Sequence, residues 1–222
     1  MPVTPDVDII SDGSAGASVI GIHAKFGAAE TFYAKDEEIC RQSEPADRIY
    51  EVIRGAVRSY NVLSDGRRRQ VSSFHLPGDV FGLEIGLHYR FTTEAIVDTT
   101  VRVVRRHSLE YVAATDVRLS RDLLGMAASN LRRAEDHLLL LGQQSAGERV
   151  AAFLLEMDER LAGTDMIALP MTRRDIADYL GLTVETVSRE LSHLRDERVL
   201  EFSKTQRQIV LLNRQRLHEL NS

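Results

Sequence analysis

Cysteine and tryptophan are nearly missing: Cys40 is the single cysteine among 222 residues, and there is no Trp. One thiol per chain cannot build an internal disulfide framework or a cysteine-ligated zinc or iron–sulfur site. Long apolar runs are missing as well. The longest uninterrupted one, Val150 to Leu155, falls far short of the ~20 residues a membrane helix needs. No Lys or Arg precedes Lys25, so the basic stretch that opens a secretory signal is absent. We therefore expect a cytoplasmic protein with no membrane partner, no metal and no cofactor.

Positive charge is also in short supply, with 28 Lys+Arg against 33 Asp+Glu and a formal net charge of −5. That balance argues against a nucleic-acid partner until its distribution is considered. Residues 165–222 carry nine basic and nine acidic side chains, whereas residues 1–164 carry nineteen and twenty-four. A DNA-binding surface needs positive charge only where it meets phosphate. What the chain does have is the make-up of a folded protein, 43% hydrophobic and 27% charged, long enough for one large or two small domains.

Residues 1–20, rich in Asp, Ser, Gly and Ala, read as a flexible arm. Residues 21–115 read mainly as short strands and turns. Ile49 to Val62 is β-rich and broken at Gly55, Asp65-Gly66 is a hairpin dipeptide, and Val71 to Leu76 ends at Pro77-Gly-Asp79. Val97 to Val104 is a further Val/Thr-rich strand. Strands at this spacing suggest a β-roll of the jelly-roll kind, either a packed scaffold or the wall of a ligand cavity.

The texture changes at residues 116–142. Val117, Leu124, Leu131 and Leu138 recur every seven residues, and Ser120, Ala127, Ala134 and Leu141 follow each by three. Such a heptad on one long helix is either a dimer seam or a face packed on its own domain, and the small residues favour the seam. Gly142 to Gly147 is a hinge, and Ser145-Ala-Gly-Glu148 has the spacing of a capping box, opening a helix that runs to about Leu161.

Residues 143–222 contain the most telling stretch, Thr172 to Leu194, which reads as helix, tight turn, helix. Ile176, Ala177 and Leu180 form the apolar face of the first helix, Gly181 supplies a left-handed turn, and Thr183 caps the second. On that second helix Val184, Val187, Leu191 and Leu194 share one face, and Glu185, Ser188, Arg189 and Ser192 share another. A rigid rod with hydrogen-bonding groups on one side fits the major groove of double-stranded DNA. There Arg can bind guanine O6 and N7, Glu can accept from cytosine, and Ser can reach either kind of base edge. Thr172, Arg173, Thr183, Thr186 and Ser192 are candidate phosphate contacts around it. Val199 to Phe202 and Ile209 to Leu212 form a strand–turn–strand wing, with Lys204 and Arg207 at its tip as further phosphate contacts. A last helix, Arg214 to Leu220, packs.

The order β-roll, long helix, hinge, winged helix-turn-helix resembles the CRP/FNR family of bacterial transcription regulators over nearly the whole chain. Pro77-Gly-Asp-Val-Phe-Gly-Leu-Glu84 and Leu182-Thr-Val-Glu-Thr-Val-Ser-Arg189 are most similar to its FNR and FixK branch. The resemblance implies an α+β fold with an N-terminal roll of the cyclic-nucleotide-binding type, a dimerisation helix and a DNA-binding winged helix-turn-helix. It implies a homodimer that reads a TTGA–six base pairs–TCAA palindrome through Glu185, Ser188 and Arg189. It also implies a partnership with RNA polymerase, as an activator in microaerobic or nitrogen-fixation gene control.

The departures from the family matter equally. FNR-type oxygen sensing uses several cysteines for an iron–sulfur cluster, and this chain has only Cys40. Cyclic-AMP binders resemble one another in a Gly-Glu-Leu turn and a following Arg-Ser pair. Here Gly82 is followed by Leu83, Glu84 comes one place late, and Phe91-Thr92 stands where Arg-Ser would, with Arg90 one place early. A buried phosphate without its arginine is an uncompensated charge, so no cyclic nucleotide is expected. Glu190 occupies a recognition-helix position that the family usually gives to an apolar or small residue. It either reaches out at the helix edge or repels phosphate.

Two other readings stand beside an effector-free regulator. One is a regulator of the same architecture gated by a small molecule, haem or nitric oxide in the roll, where His75 and His88 lie. Separately, Cys40 is either a redox-sensing thiol that could link two chains or a small apolar filler. The other is a jelly-roll enzyme, but His23, His75, His88 and His107 lack the clustering that metal ligands need, and no enzyme is expected.

Overall fold

The computed structural model describes residues 28–62, 69–84, 86–143, 145–161, 166–203 and 208–221. The arm at residues 1–20, the Asp65-Gly66 dipeptide and the wing-tip residues Lys204 and Arg207 lie outside the described residues.

Among the described residues, eight strands build the N-terminal unit: β1 (Ala29–Tyr33), β2 (Glu38–Cys40), β3 (Arg48–Arg54), β4 (Val57–Val62), β5 (Arg69–His75), β6 (Val80–Phe81), β7 (Thr92–Ala95) and β8 (Thr99–Arg105). They pair antiparallel in two four-stranded sheets, ordered β1-β8-β3-β6 and β2-β7-β4-β5. Alternation along the strands decides what each face buries. Tyr50, Val52, Val57, Phe81, Tyr89 and Val101 fill the space between the sheets, with Tyr50 stacked on Phe81 at 5.0 Å. Ile49, Val80 and Val104 pack instead with Leu109 and Leu119 from the following helices. Gly55 turns β3 into β4 at φ +91°, where a Cβ would stand 2.7 Å from the Asp98 carbonyl oxygen. This is why the β-rich run breaks there.

A short helix α1 (Arg106–Ala113), within the span expected to be roll, leads into α2 (Val117–Gln143). Then come α3 (Ala146–Arg160), β9 (Met166–Ala168), α4 (Arg173–Leu180), α5 (Val184–Asp196), β10 (Leu200–Phe202), β11 (Gln208–Leu211) and α6 (Arg214–Leu220). The Ser145–Glu148 capping box is formed in both directions, and it starts α3 where expected. The wing is a three-stranded sheet, β10-β11-β9, rather than a two-stranded hairpin. Its third strand, Met-Ile-Ala, is too short to announce itself by period. No helix of the described residues is long and apolar enough to cross a membrane.

A further apolar cluster runs without interruption from roll to winged helix. Val71, Phe74, Leu76 and Ile96 of the roll join Val150, Phe153, Leu154 and Met157 of α3, together with Ile176, Leu180, Val187, Leu191 and Leu194 of the helix-turn-helix. Phe74 lies 5.0 Å from Tyr179 and 6.3 Å from Phe153, centroid to centroid.

Gly181 closes α4 at φ +64° and ψ +35°. A Cβ there would meet nothing nearer than Leu141 Cδ2 at 3.5 Å, so the cost of a side chain is conformational, not steric. Gly181→Ala is therefore expected to lower stability by about 1–2 kcal/mol, the penalty of an L-residue in the left-handed region. Denaturant titration checks this; an unchanged midpoint would contradict the assigned turn.

Candidate nucleic-acid interface

The helix-turn-helix is set by local chemistry at three points. Thr172 caps α4, its hydroxyl accepting from Asp175 N–H while the Asp175 carboxylate accepts from Thr172 N–H at 2.9 Å. Gly181 turns the chain. Thr183 caps α5, accepting from Thr186 N–H at 3.2 Å. Val187, Leu191 and Leu194 are then buried and Val184 half-buried, which fixes the rotation of α5 about its axis.

That rotation puts Glu185, Ser188 and Arg189 in solvent. The Glu185 carboxyl is held below its usual pKa, first by its own backbone N–H and then by the Thr183 hydroxyl, so it is an anion and a pure acceptor at neutral pH. Arg189 is 68% exposed and bends along the helix to Glu190, its Nε and Nη2 lying 3.4 and 3.2 Å from Glu190 Oε1. Glu190 itself is 22% exposed, with its other carboxylate oxygen turned toward Gly147 at the amino end of α3. It is thus neither a core residue nor freely projecting: it rests at the helix edge as a partner for Arg189.

The remaining sequence-chosen residues divide by environment. Thr172, Thr183 and Thr186 cluster at the amino ends of α4 and α5 as cap groups. Ser192, half-buried, donates its hydroxyl to the Ser188 carbonyl oxygen at 2.9 Å. Arg173 is half-buried with its guanidinium 5.1 Å over the Phe202 ring, a cation–π contact that ties α4 to the wing. Its neighbour Arg174, not singled out from sequence, is exposed and close enough to Glu185 to help depress that carboxyl. Helix phase distinguishes the two arginines: Arg173 falls three and four residues before Ile176 and Ala177, on the apolar face, and Arg174 does not, a signal already present in the spacing.

On α2 the heptad residues Val117, Leu124, Leu131 and Leu138 are 60–72% exposed, with Ser120, Ala127 and Ala134 also exposed and Leu141 half-buried. Leu119 and Leu140 are buried on other faces of the same helix, and Leu123 and Met126 pack beside Leu119. The helix therefore has both a face packed on its own chain and an unpartnered heptad stripe.

Between roll and helices lies a cavity of about 620 Å³. Cys40, His75, Phe81, Glu84, Arg90, Arg133, His137 and Arg160 are among its lining residues. Arg133 and Arg160 pair with Asp79 at 3.3 and 2.7 Å, and Arg160 also with Glu156 at 2.7 Å. Arg90 is exposed, its guanidinium 5.5 Å over Phe91. His75 Nε2 is engaged by the Ser59 and Ser73 hydroxyls at 2.9 and 3.2 Å, and burial lowers its pKa to about 4. His88, by contrast, is exposed in an isolated bridge to Pro45. Cys40 is buried and its thiol is pushed up to about 11 by desolvation, which leaves little thiolate for redox chemistry.

Comparison with known proteins agrees with this architecture. A family model described as a Crp-like helix-turn-helix domain matches residues 148–220, and one described as a cyclic nucleotide-binding domain matches residues 30–116. The nitrogen fixation regulation protein FixK of Rhizobium meliloti is 46% identical over 168 residues, covering 76% of each chain. The FixK of Azorhizobium caulinodans is 40% identical over 195 residues, covering 86% of this chain and 78% of its own. The solved structure of FixK2 from Bradyrhizobium japonicum superposes with a TM-score of 0.84 at 62% identity, covering 88% of this chain and 98% of that one. With an exposed polar face on a buried-backed recognition helix, and relatives of this identity over this length, the chain belongs to the CRP/FNR family of DNA-binding transcription regulators, in its FixK-like branch.

Proposed function

We propose that the protein binds DNA as a homodimer on a TTGA–six base pairs–TCAA palindrome, without a small-molecule effector, and recruits RNA polymerase as an activator. The observation that carries this reading is the solvent-facing trio Glu185, Ser188 and Arg189 on a helix whose opposite face is buried. Arg189 donates to guanine, Glu185 accepts from cytosine, and Ser188 serves either edge. Thr172, Thr183, Thr186 and Ser192, with Arg174, Lys204 and Arg207, are the phosphate set; Arg173 joins it from its seat on Phe202. The heptad stripe of α2 is the dimer seam, and seating it on its twin sets the recognition helices about 34 Å apart, one turn of DNA. The division into arm (1–20), roll (21–115), dimerisation helix (116–142) and winged helix (143–222) follows from this scheme. The names of the FixK relatives favour nitrogen-fixation gene control.

The same reading leaves the protein without cyclic nucleotide and without an enzymatic role. Of the arginines that line the cavity, Arg133 and Arg160 are taken by carboxylates, and Arg90 lies exposed on Phe91. The cavity itself favours one second reading, a regulator gated by an uncharged small molecule. Haem is the weaker form of that idea, since His75 already uses Nε2 on two hydroxyls. Sedimentation of the protein with a palindromic duplex, paired with calorimetry against cyclic AMP, separates these readings. Two chains per duplex in additive-free buffer and no heat with cyclic AMP are expected. One chain per duplex, or micromolar cyclic-AMP binding, would contradict the proposal.

Glu190 competes with DNA for Arg189. A surface ion pair is worth about 0.2–1 kcal/mol, so Glu190→Gln is expected to raise affinity about 1.5- to 5-fold at each of the palindrome's two half-sites. Equal binding would show that the pair does not compete with DNA, and weaker binding would show that Glu190 aids docking.

A further inference from the structure

The winged helix is tied to the roll by a buried ion cluster that the recognition scheme does not use. Arg58, the second residue of β4, is 6% exposed at its side chain, and Asp175, in the first turn of α4, is 1% exposed. Arg58 Nη1 donates to Asp175 Oδ1 at 2.8 Å. Its Nη2 donates to Asp36 Oδ1 at 3.2 Å and to Glu94 Oε1. Arg69 stands behind, 3.7 Å from Glu94 and 3.9 Å from Asp175. The second Asp175 oxygen accepts from the Thr172 N–H at 2.9 Å and from the Thr172 hydroxyl at 2.6 Å. One carboxylate therefore both starts α4 and grips the roll.

Two neutral contacts also hold α4, one from β5 of the roll and one from α2. Gln70 Nε2 donates to the Asp178 carbonyl oxygen at 2.8 Å, and His137 Nε2 lies 2.9 Å from the Tyr179 carbonyl oxygen with its ring stacked on Tyr179. All of these land on α4, and none lands on α5.

A buried ion cluster adds little net stability over well-packed apolar residues of the same volume. Arg58 Nε is even left buried without a hydrogen-bond partner. What such a cluster does impose is a single geometry, because a planar guanidinium shared among carboxylates tolerates little sliding. We infer that Arg58 and Asp175 are positioning residues for DNA recognition: the roll holds α4 by this pair, and α4 in turn sets the direction in which α5 presents Glu185, Ser188 and Arg189. The held state leaves that reading face in solvent, so the contact favours DNA binding rather than masking it. This inference rests on the effector-free reading above, since the cluster does the orienting that an effector would otherwise do.

The test uses the full chain with spin labels at Arg54→Cys on the roll and Arg195→Cys on α5, both exposed positions. Doubly labelled protomers are diluted with unlabelled protein, and Cys40, being buried, stays unlabelled. Asp175→Asn is the mild variant, because its carboxamide oxygen can still accept from Thr172 while the charge for Arg58 is gone; Arg58→Met is the severe one. The expected result for Asp175→Asn is a broadened distance distribution and at least a tenfold loss of affinity for the palindrome. Affinity for a scrambled duplex should change less than twofold, a split that general destabilisation would not produce. A folded Asp175→Asn protein with unchanged distances and unchanged affinity would overturn the inference, as would tighter binding, which would mean that the contact restrains the winged helix. If the unsubstituted protein fails to bind the palindrome without additives, the effector-free reading falls. The distance distributions would still decide whether the cluster orients α4.

Discussion

Arg189→Ala is expected to weaken binding by about 1–3 kcal/mol, roughly 5- to 150-fold, at each of the palindrome's two half-sites, and to flatten the preference for guanine. The side chain is 68% exposed and pairs with the neighbouring, partly exposed Glu190, so its removal leaves no buried group unpaired. Folding stability should therefore stay within about 0.5 kcal/mol of the parent, and the loss can be assigned to recognition. Lys substitution would keep the charge and lose the fork, so Arg189→Lys should retain phosphate-driven affinity but not the guanine preference. Anisotropy titrations against duplexes altered at each base of the half-site measure both effects. A uniform loss across all positions would mean that Arg189 meets phosphate instead of a base edge.

The second large effect is expected at the heptad stripe. Leu124→Glu with Leu131→Glu should give a folded monomer that has lost sequence-specific binding. These leucines are 70% and 60% exposed in the single chain, so the substitutions cost the protomer little. In a dimer each would remove about 1.5–3 kcal/mol of apolar burial per side chain and set like charges against each other. With one recognition helix per particle, affinity should fall toward the non-specific level, on the order of 10³-fold or more weaker. Leu119→Glu is the contrasting change: that residue is fully buried against the roll, and its substitution should unfold the protein rather than split a dimer. A double-Glu variant that sediments as a dimer would place the seam elsewhere.

Residues near one another in sequence carried most of what could be read without coordinates. The Thr183 cap, the Gly181 turn and the apolar spacing of α5 each depend on groups within four positions, and each stands as expected, whereas the Thr172 cap emerges only from the structure. The heptad of α2 was ambiguous for a physical reason: a long helix has room for more than one stripe, and this one buries Leu119 and Leu140 while leaving Val117 and Leu124 outside. Strand β9 was missed because three residues show no period. The Arg58–Asp175 contact joins residues 117 positions apart, and an arginine amid Val57, Ser59 and Tyr60 gives no local sign of its distant partner. The cavity likewise depends on how roll and helices meet, which composition cannot show. Arg173 and Arg174 were separable from the spacing itself, since Arg173 shares the face of Ile176, Ala177 and Leu180.

The most direct measurement is a fluorescence-anisotropy titration of untreated protein against a TTGA–six base pairs–TCAA duplex and a scrambled control, at two salt concentrations. The account predicts nanomolar binding to the palindrome without additives, on the order of 10³-fold tighter than to the control, with both affinities falling as salt rises. Equal weak binding to the two duplexes, or tight binding only after a small molecule is supplied, would contradict it.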